Sequence, residues 1–260
     1  MRILLLCGLI MAVSGCHQVS DPDFADNPVV AHRGSWKNAG LPMNSLAAFD
    51  LALRQEYGGV KIDLQMTADS VTVVTHELTH GGLPVQESTY SELNRVKMPN
   101  GEDLPVLEHF LERAIQQEST RVFLQITEPE HDRAWADATA AKVVELVRAH
   151  NAEPWVYYLS FDFAVLKEVQ RIDPAARVMY LTGSRSPDVT HNDGFYGMAY
   201  HYAIFRSLEN WVAEARTLGL GLFVWTVNDP LNMVWFLNRR FEFICTDEPE
   251  GLMEIYQQHI

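Results

Sequence analysis

The chain has 260 residues, with 20 Lys and Arg against 34 Asp and Glu, for a formal net charge of −14. That balance argues against nucleic acid and against anionic membrane surfaces as partners, because both are bound through excess positive charge. An anionic small molecule would need a local positive pocket, and the length is ordinary for one barrel domain.

Met1-Arg2 is followed by an apolar run, Ile3 to Val13, that is too short to span a membrane. It reads as a bacterial signal peptide over residues 1–15. The stretch Val13-Ser14-Gly15-Cys16 resembles a lipobox, which implies cleavage before Cys16, acylation of its thiol and membrane attachment through that lipid. His17 follows rather than Asp, which points to the outer membrane of a bacterial envelope. Residues 16–27 are polar and acidic and read as a tether, with residues 28–260 as one domain. Cys7 leaves with the signal and Cys16 takes the lipid, so Cys245 has no disulfide partner. In Phe243-Ile244-Cys245 it reads as a small core residue.

Within the domain, Val29 to Ala31 reads as a short buried strand. Ser45 to Gln55 reads as a helix capped by Asn44 or Ser45, with Leu46, Phe49, Ala52 and Leu53 at helical spacing. Val60 to Met66 alternates as a strand, so residues 61, 63 and 65 share a face. The turn Thr67-Ala68-Asp69-Ser70 is too short for a parallel crossover, so Val71 to Thr75 must return antiparallel and carry His76 back towards His32. Leu78 to Asp103 reads as a loop insertion with one short helix near Ser91 to Arg95. Strands then follow at Arg121–Ile126, Trp155–Leu159, Arg177–Leu181, Phe195–Ala199, Gly221–Thr226 and Phe243–Cys245. Helices alternate with them, while Thr182 to Asp193 reads as a polar loop. Eight strands alternating with helices imply parallel pairing and closure into a TIM (β/α)8 barrel. No Gly-rich phosphate loop follows any strand, which lowers an open doubly wound sheet.

Four clusters carry the chemistry: His32-Arg33-Gly34, Pro42-Met43-Asn44-Ser45, Lys61-Ile62-Asp63 and His76-Glu77. In this order and spacing they resemble the HRG, PENS, E-x-D and HD pattern of the glycerophosphodiester phosphodiesterase family. Further on, Leu104-Pro105-Val106-Leu107-Glu108, Ser160-Phe161, Trp225-Thr226-Val227-Asn228 and Thr246-Asp247-Glu248-Pro249 resemble that family's later motifs. The resemblance implies hydrolysis of a small glycerol-bearing phosphodiester, with His32 and His76 as the acid–base pair. Imidazole suits that work because its ordinary pKa is near about 6.5. Arg33, Lys61 and Trp225 would contact substrate, and the planar guanidinium fork of Arg33 suits a phosphate.

The family's divalent cation is held by both acids of E-x-D and a Glu on a later strand. Here those positions are Lys61, Asp63 and Gln125, so only Asp63 keeps a carboxylate. Hard cations such as Ca²⁺ and Mg²⁺ favour several anionic oxygens, so the expectation is no cofactor or a weakly bound divalent cation. Glu128 lies three residues from Gln125 and would face the other way on a strand. The other histidines are scattered without ligand spacing, which argues against zinc. Three readings stay open: a phosphodiesterase with altered or absent metal dependence, a non-catalytic lipoprotein that binds a phosphorylated polyol, or another lyase or hydrolase on the same barrel.

Overall fold

A computed structural model describes residues 22–127 and 133–259. Elements run in the order β1 (Val29–His32), α1 (Leu46–Arg54), β2 (Gly59–Met66), β3 (Thr72–Val74), β4 (Thr79–His80), β5 (Leu83–Pro84), α2 (Tyr90–Leu93), α3 (Leu107–Ala114), β6 (Arg121–Ile126) and α4 (Arg133–Ala149). They continue with β7 (Val156–Ser160), α5 (Phe163–Ile172), β8 (Arg177–Tyr180), α6 (Pro187–Asn192), β9 (Gly197–His201), α7 (Tyr202–Ser207) and α8 (Asn210–Thr217). The last four are β10 (Gly221–Trp225), α9 (Pro230–Asn238), β11 (Phe243–Thr246) and α10 (Pro249–His259).

Strand order β1-β11-β10-β9-β8-β7-β6-β2, closed by a β1–β2 pairing, makes a parallel eight-stranded barrel inside a helical ring. This is the expected TIM barrel. Alternation along each strand sorts the side chains. Val60, Ile62 and Leu64 of β2, with Val122, Leu124 and Ile126 of β6, face the helices. Phe123, Tyr157, Met179, Phe223 and Phe243 fill the interior, where Phe123 packs its ring 4.9 Å from those of Tyr157, Phe223 and Phe243. That aromatic plug makes the lower barrel solid, so open space is left near the carboxyl ends of the strands. The chain enters at the opposite end, where the Phe24 ring lies under Arg121 and Ala25 N donates to Ser119 O.

β3 pairs antiparallel with β2, Leu64 opposite Val74 and Met66 opposite Thr72. It takes the flank of β2 that β1 leaves free after the His32–Lys61 pair, as the short turn requires. The insertion holds the small β4–β5 hairpin and α2, whose Thr89 and Glu92 form a capping box. It is tied to the barrel by two side chains. Glu102 accepts from Leu46 N and Ala47 N at the start of α1, and Gln86 donates to Gln65 of β2.

Three local readings shift. The polar stretch before β9 contains α6, a helix too short to show an apolar stripe, with Pro187 in its first turn. The sixth barrel strand starts at Gly197, not Phe195. Phe195 packs outwards on Phe163, and the ring of Tyr196 occupies the space beside Gly221. α7 follows directly, its start capped by the His201 ring.

Candidate active site

A cavity of ≈ 150 Å³ opens at the carboxyl ends of the strands, and His32, Arg33, Lys61, His76, Gln125 and Trp225 are among the residues that line it. All six sequence-derived contact residues therefore converge there, with Asp63 directly behind Lys61.

His32 ends β1. Its Nδ1 lies 2.7 Å from Asp247 Oδ1, while Asn228 Nδ2 donates to Asp247 Oδ2 at 2.7 Å. Asn228 is itself fixed, because its Oδ1 accepts from Asp247 N and Thr246 Oγ1. The carboxylate assigns the proton to Nδ1 and leaves Nε2 as a free base. Burial lowers the His32 pKa from its usual value although the Asp247 bond pulls it up. Burial would raise the Asp247 carboxyl, but the bond to His32 and its neighbours outweigh that and hold it below the usual range.

Arg33 has a backbone φ of +64°, a conformation unusual for a residue with a side chain. It is fixed from both sides: Arg33 N donates to Lys61 O at 2.7 Å, and Arg33 O accepts from Asn44 N at 3.0 Å. Gly34 must follow, since a Cβ there would sit 2.7 Å from the Ala48 backbone.

Beneath Arg33 lies a buried charge cluster. Lys61 Nζ donates to Asp63 Oδ1, and Arg33 Nε lies 3.0 Å from Asp63 Oδ2. Asn44 Nδ2 donates to that same Oδ2 at 3.0 Å. Asp63 is fully buried and Lys61 is 5% exposed. Burial would raise the Asp63 carboxyl, but Lys61, Arg33 and the Asn44 bond hold it well below the usual carboxylate range. Gln125 stands level with Asp63 on the neighbouring strand and has no side-chain hydrogen bond among the described residues.

His76 lies at the rim, with its side chain 49% exposed and Nδ1 3.6 Å from Glu77 Oε1. Its backbone is clamped by Gln65, whose Nε2 donates to Thr75 O at 3.3 Å and Glu77 O at 2.8 Å. Trp225 uses its N–H on Ala199 O at 2.8 Å, which turns the ring into a fixed wall edge-on to Phe161. Cys245 is 1% exposed below the cavity, where burial pushes its thiol up, so it serves as a small core residue.

A sequence profile described as the glycerophosphoryl diester phosphodiesterase family matches residues 32–251. The chain belongs to this family. It is 26% identical over 245 residues to a glycerophosphodiester phosphodiesterase of Caldanaerobacter subterraneus subsp. tengcongensis, covering 88% of this chain and 98% of that relative. It superposes with a TM-score of 0.86 on a glycerophosphodiester phosphodiesterase from Parabacteroides distasonis, at 34% identity and over 91% of this chain and 99% of the other. An Oleispira antarctica phosphodiesterase shares the fold at 21% identity and TM-score 0.77, over 88% and 96% of the two chains. The chain is accordingly a phosphoric diester hydrolase of the glycerophosphodiester phosphodiesterase type.

Against this family background, the donors beside Asp63 do not fit a divalent cation. Both Asp63 oxygens are engaged by Lys61, Arg33 and Asn44. An ammonium next to that carboxylate repels a cation, and hard cations need several anionic oxygens. No group of three His, Cys, Asp or Glu suited to a metal occurs among the described residues. Glu128 lies outside the described residues.

Sequence reasoning missed three functional positions. Asn44 was a candidate helix cap, but Ser45 caps α1 and Asn44 binds Asp63. Asp247 and Asn228 were noted only as parts of motifs; they orient His32 from the last barrel strand and the loop after β10.

Proposed function

We propose that the cavity hydrolyses glycerophosphodiesters or related phosphorylated polyols, with altered or absent dependence on a divalent cation. The reading rests on the convergence of His32, His76 and Arg33 on one cavity, with His32 Nδ1 held by Asp247. His32 Nε2 takes the proton from the attacking hydroxyl, either the substrate's own alcohol or water. The oxygen attacks phosphorus, the P–O bond to the leaving alcohol breaks, and His76 gives that alcohol its proton; where the substrate's own alcohol attacks, water then opens the cyclic phosphodiester with the two histidines in exchanged roles. Arg33 holds a phosphate oxygen through its guanidinium. The Oleispira antarctica enzyme, captured with the product sn-glycerol-3-phosphate, supports the substrate class. Release of the free alcohol from glycerophosphocholine, glycerophosphoethanolamine and glycerophosphoglycerol by the purified chain tests the proposal. Binding of these compounds without release would instead give a non-catalytic phosphopolyol-binding protein.

The pH profile tests the base. His32 acts when neutral, and burial lowers its pKa from the ordinary value near 6.5. The acid limb of kcat/KM, where His32 takes up its proton, should therefore have its midpoint below 6.5. Asp247 raises the His32 pKa, so Asp247→Asn should cut kcat by about 10²-fold and move the acid limb to still lower pH. An unmoved limb would separate Asp247 from the base.

The lipobox-like Val13-Ser14-Gly15-Cys16 carries a second proposal, that the chain is a lipoprotein of the bacterial envelope. Cys16 lies outside the described residues. No helix among the described residues is long and apolar enough to cross a membrane. Cys16→Ala should move the protein from the membrane to the soluble fraction of a bacterial host. Unchanged fractionation would place the anchor elsewhere.

A further inference from the structure

We propose that Lys61, Arg33 and Gln125 form a built-in phosphate cradle, in which the Lys61 ammonium does the work a bound cation would otherwise do. The inference deepens the hydrolase reading above and rests on it for the identity of the ligand.

Charge balance carries the argument. Two cationic side chains, Lys61 and Arg33, meet a single carboxylate, Asp63, in a region from which water is largely excluded. Buried charge is costly unless it is paired, and here two cations share one contacting carboxylate, because Asp247, the next carboxylate in the site, spends its oxygens on His32 and Asn228. Asn44, the remaining polar group on Asp63, is neutral. The chain as a whole is strongly acidic, so the surplus is local and not part of a general positive surface.

Unused donors point the same way. An ammonium has three N–H groups, and Lys61 spends one on Asp63 while lining the cavity. Arg33 Nε is buried and close to Asp63 without the alignment of a hydrogen bond, and among the described residues Nη1 finds only the thioether of Met43 at 3.4 Å. Gln125 adds an amide with no hydrogen-bond partner among the described residues. Lys61, Arg33 and Gln125 line one cavity with His32, the space a phosphoryl group must occupy for His32 to serve the attacking oxygen. A phosphodiester monoanion gives the two cations a second anion in direct contact. Its non-bridging oxygens gain negative charge during displacement, where fixed, dry donors act most strongly. Asp63 is the positioning residue that holds both cations in place.

Turnover of glycerophosphocholine by the wild-type chain is the first measurement, with and without EDTA. Calorimetric titration with Ca²⁺ and with sn-glycerol 3-phosphate is the second. Activity should be equal in EDTA within about twofold, with no Ca²⁺ heat. A folded Lys61→Met variant should lose about 10²–10³ in kcat/KM, as for removal of one preorganised donor, while Lys61→Arg recovers part of it. The double variant Lys61→Glu with Gln125→Glu should gain Ca²⁺ heat. Activity abolished by EDTA and restored by Ca²⁺, or a folded Lys61→Met with wild-type turnover, would overturn the proposal. If Lys61→Met does not fold, the EDTA and Ca²⁺ results on the wild-type chain decide. If no diester is turned over at all, the hydrolase reading fails separately. The cradle then stands only if sn-glycerol 3-phosphate binds the wild-type chain and loses affinity in Lys61→Met or Lys61→Arg.

Discussion

Replacing His32 or His76 by alanine is expected to slow turnover of a glycerophosphodiester by about 10²–10⁴-fold, the usual worth of a general acid or base. In activation terms that is about 2.7–5.5 kcal/mol. The two substitutions should differ in kind. His32 sits in a hydrogen-bonded chain with Asp247 and Asn228, so its loss strands a half-buried carboxylate and should cost stability as well as rate. His76 is half exposed, and among the described residues its ring has no hydrogen bond or ion pair beyond Glu77, so His76→Ala should keep the wild-type melting temperature. It should also spare substrates whose leaving group is a good anion, because such a group needs no proton. Diesters with nitrophenol and choline leaving groups, compared in both variants, check this. A folded His76→Ala enzyme equally slow on both leaving groups would contradict the acid role.

The second large effect concerns Asp63. Asp63→Ala should destabilise the fold by about 3–5 kcal/mol, because it leaves the Lys61 ammonium and the Arg33 guanidinium buried without their shared counter-ion. Chemical denaturation of wild type and variant at pH 7 measures it. The sign of the pH dependence follows from the depressed carboxyl. Its folded-state pKa lies below the unfolded value near about 3.9, so its stabilisation is fully present above that pH and disappears as pH falls below it. Wild type and Asp63→Ala should therefore differ most near neutrality and converge in strong acid. A constant gap across that range would mean the loss comes from packing and not from charge.

Much of the fold could be read from the sequence because local rules over-determined it. The turn at residues 67–70 left β3 only an antiparallel return, and β3 pairs that way. Period-two alternation placed Lys61 and Asp63 on one face, and their side chains touch. Legibility failed where one side chain could serve two ends. Asn44 next to Ser45 at a helix start satisfies the rules for a cap, yet its amide is spent on a carboxylate 19 residues away. The bond between His32 and Asp247 spans 215 residues, and nothing local to either signals it. α6 and α7 went unseen for a different reason. Each has 6 residues, less than two turns, so no apolar stripe can develop.

The insertion after β3 has a consequence for how this enzyme could be altered. Gln86 reaches Gln65, the residue whose amide grips the backbone on both sides of His76, and Glu102 caps the helix that follows Asn44. The segment that follows His76 is thus joined to the proposed acid on one side and to the Asp63 cluster on the other. Exchanging this loop for that of a relative would disturb the settings of the proposed acid and of the Asp63 cluster together. A graft that carried Gln86 and Glu102 with it would be the smallest unit that could be moved intact.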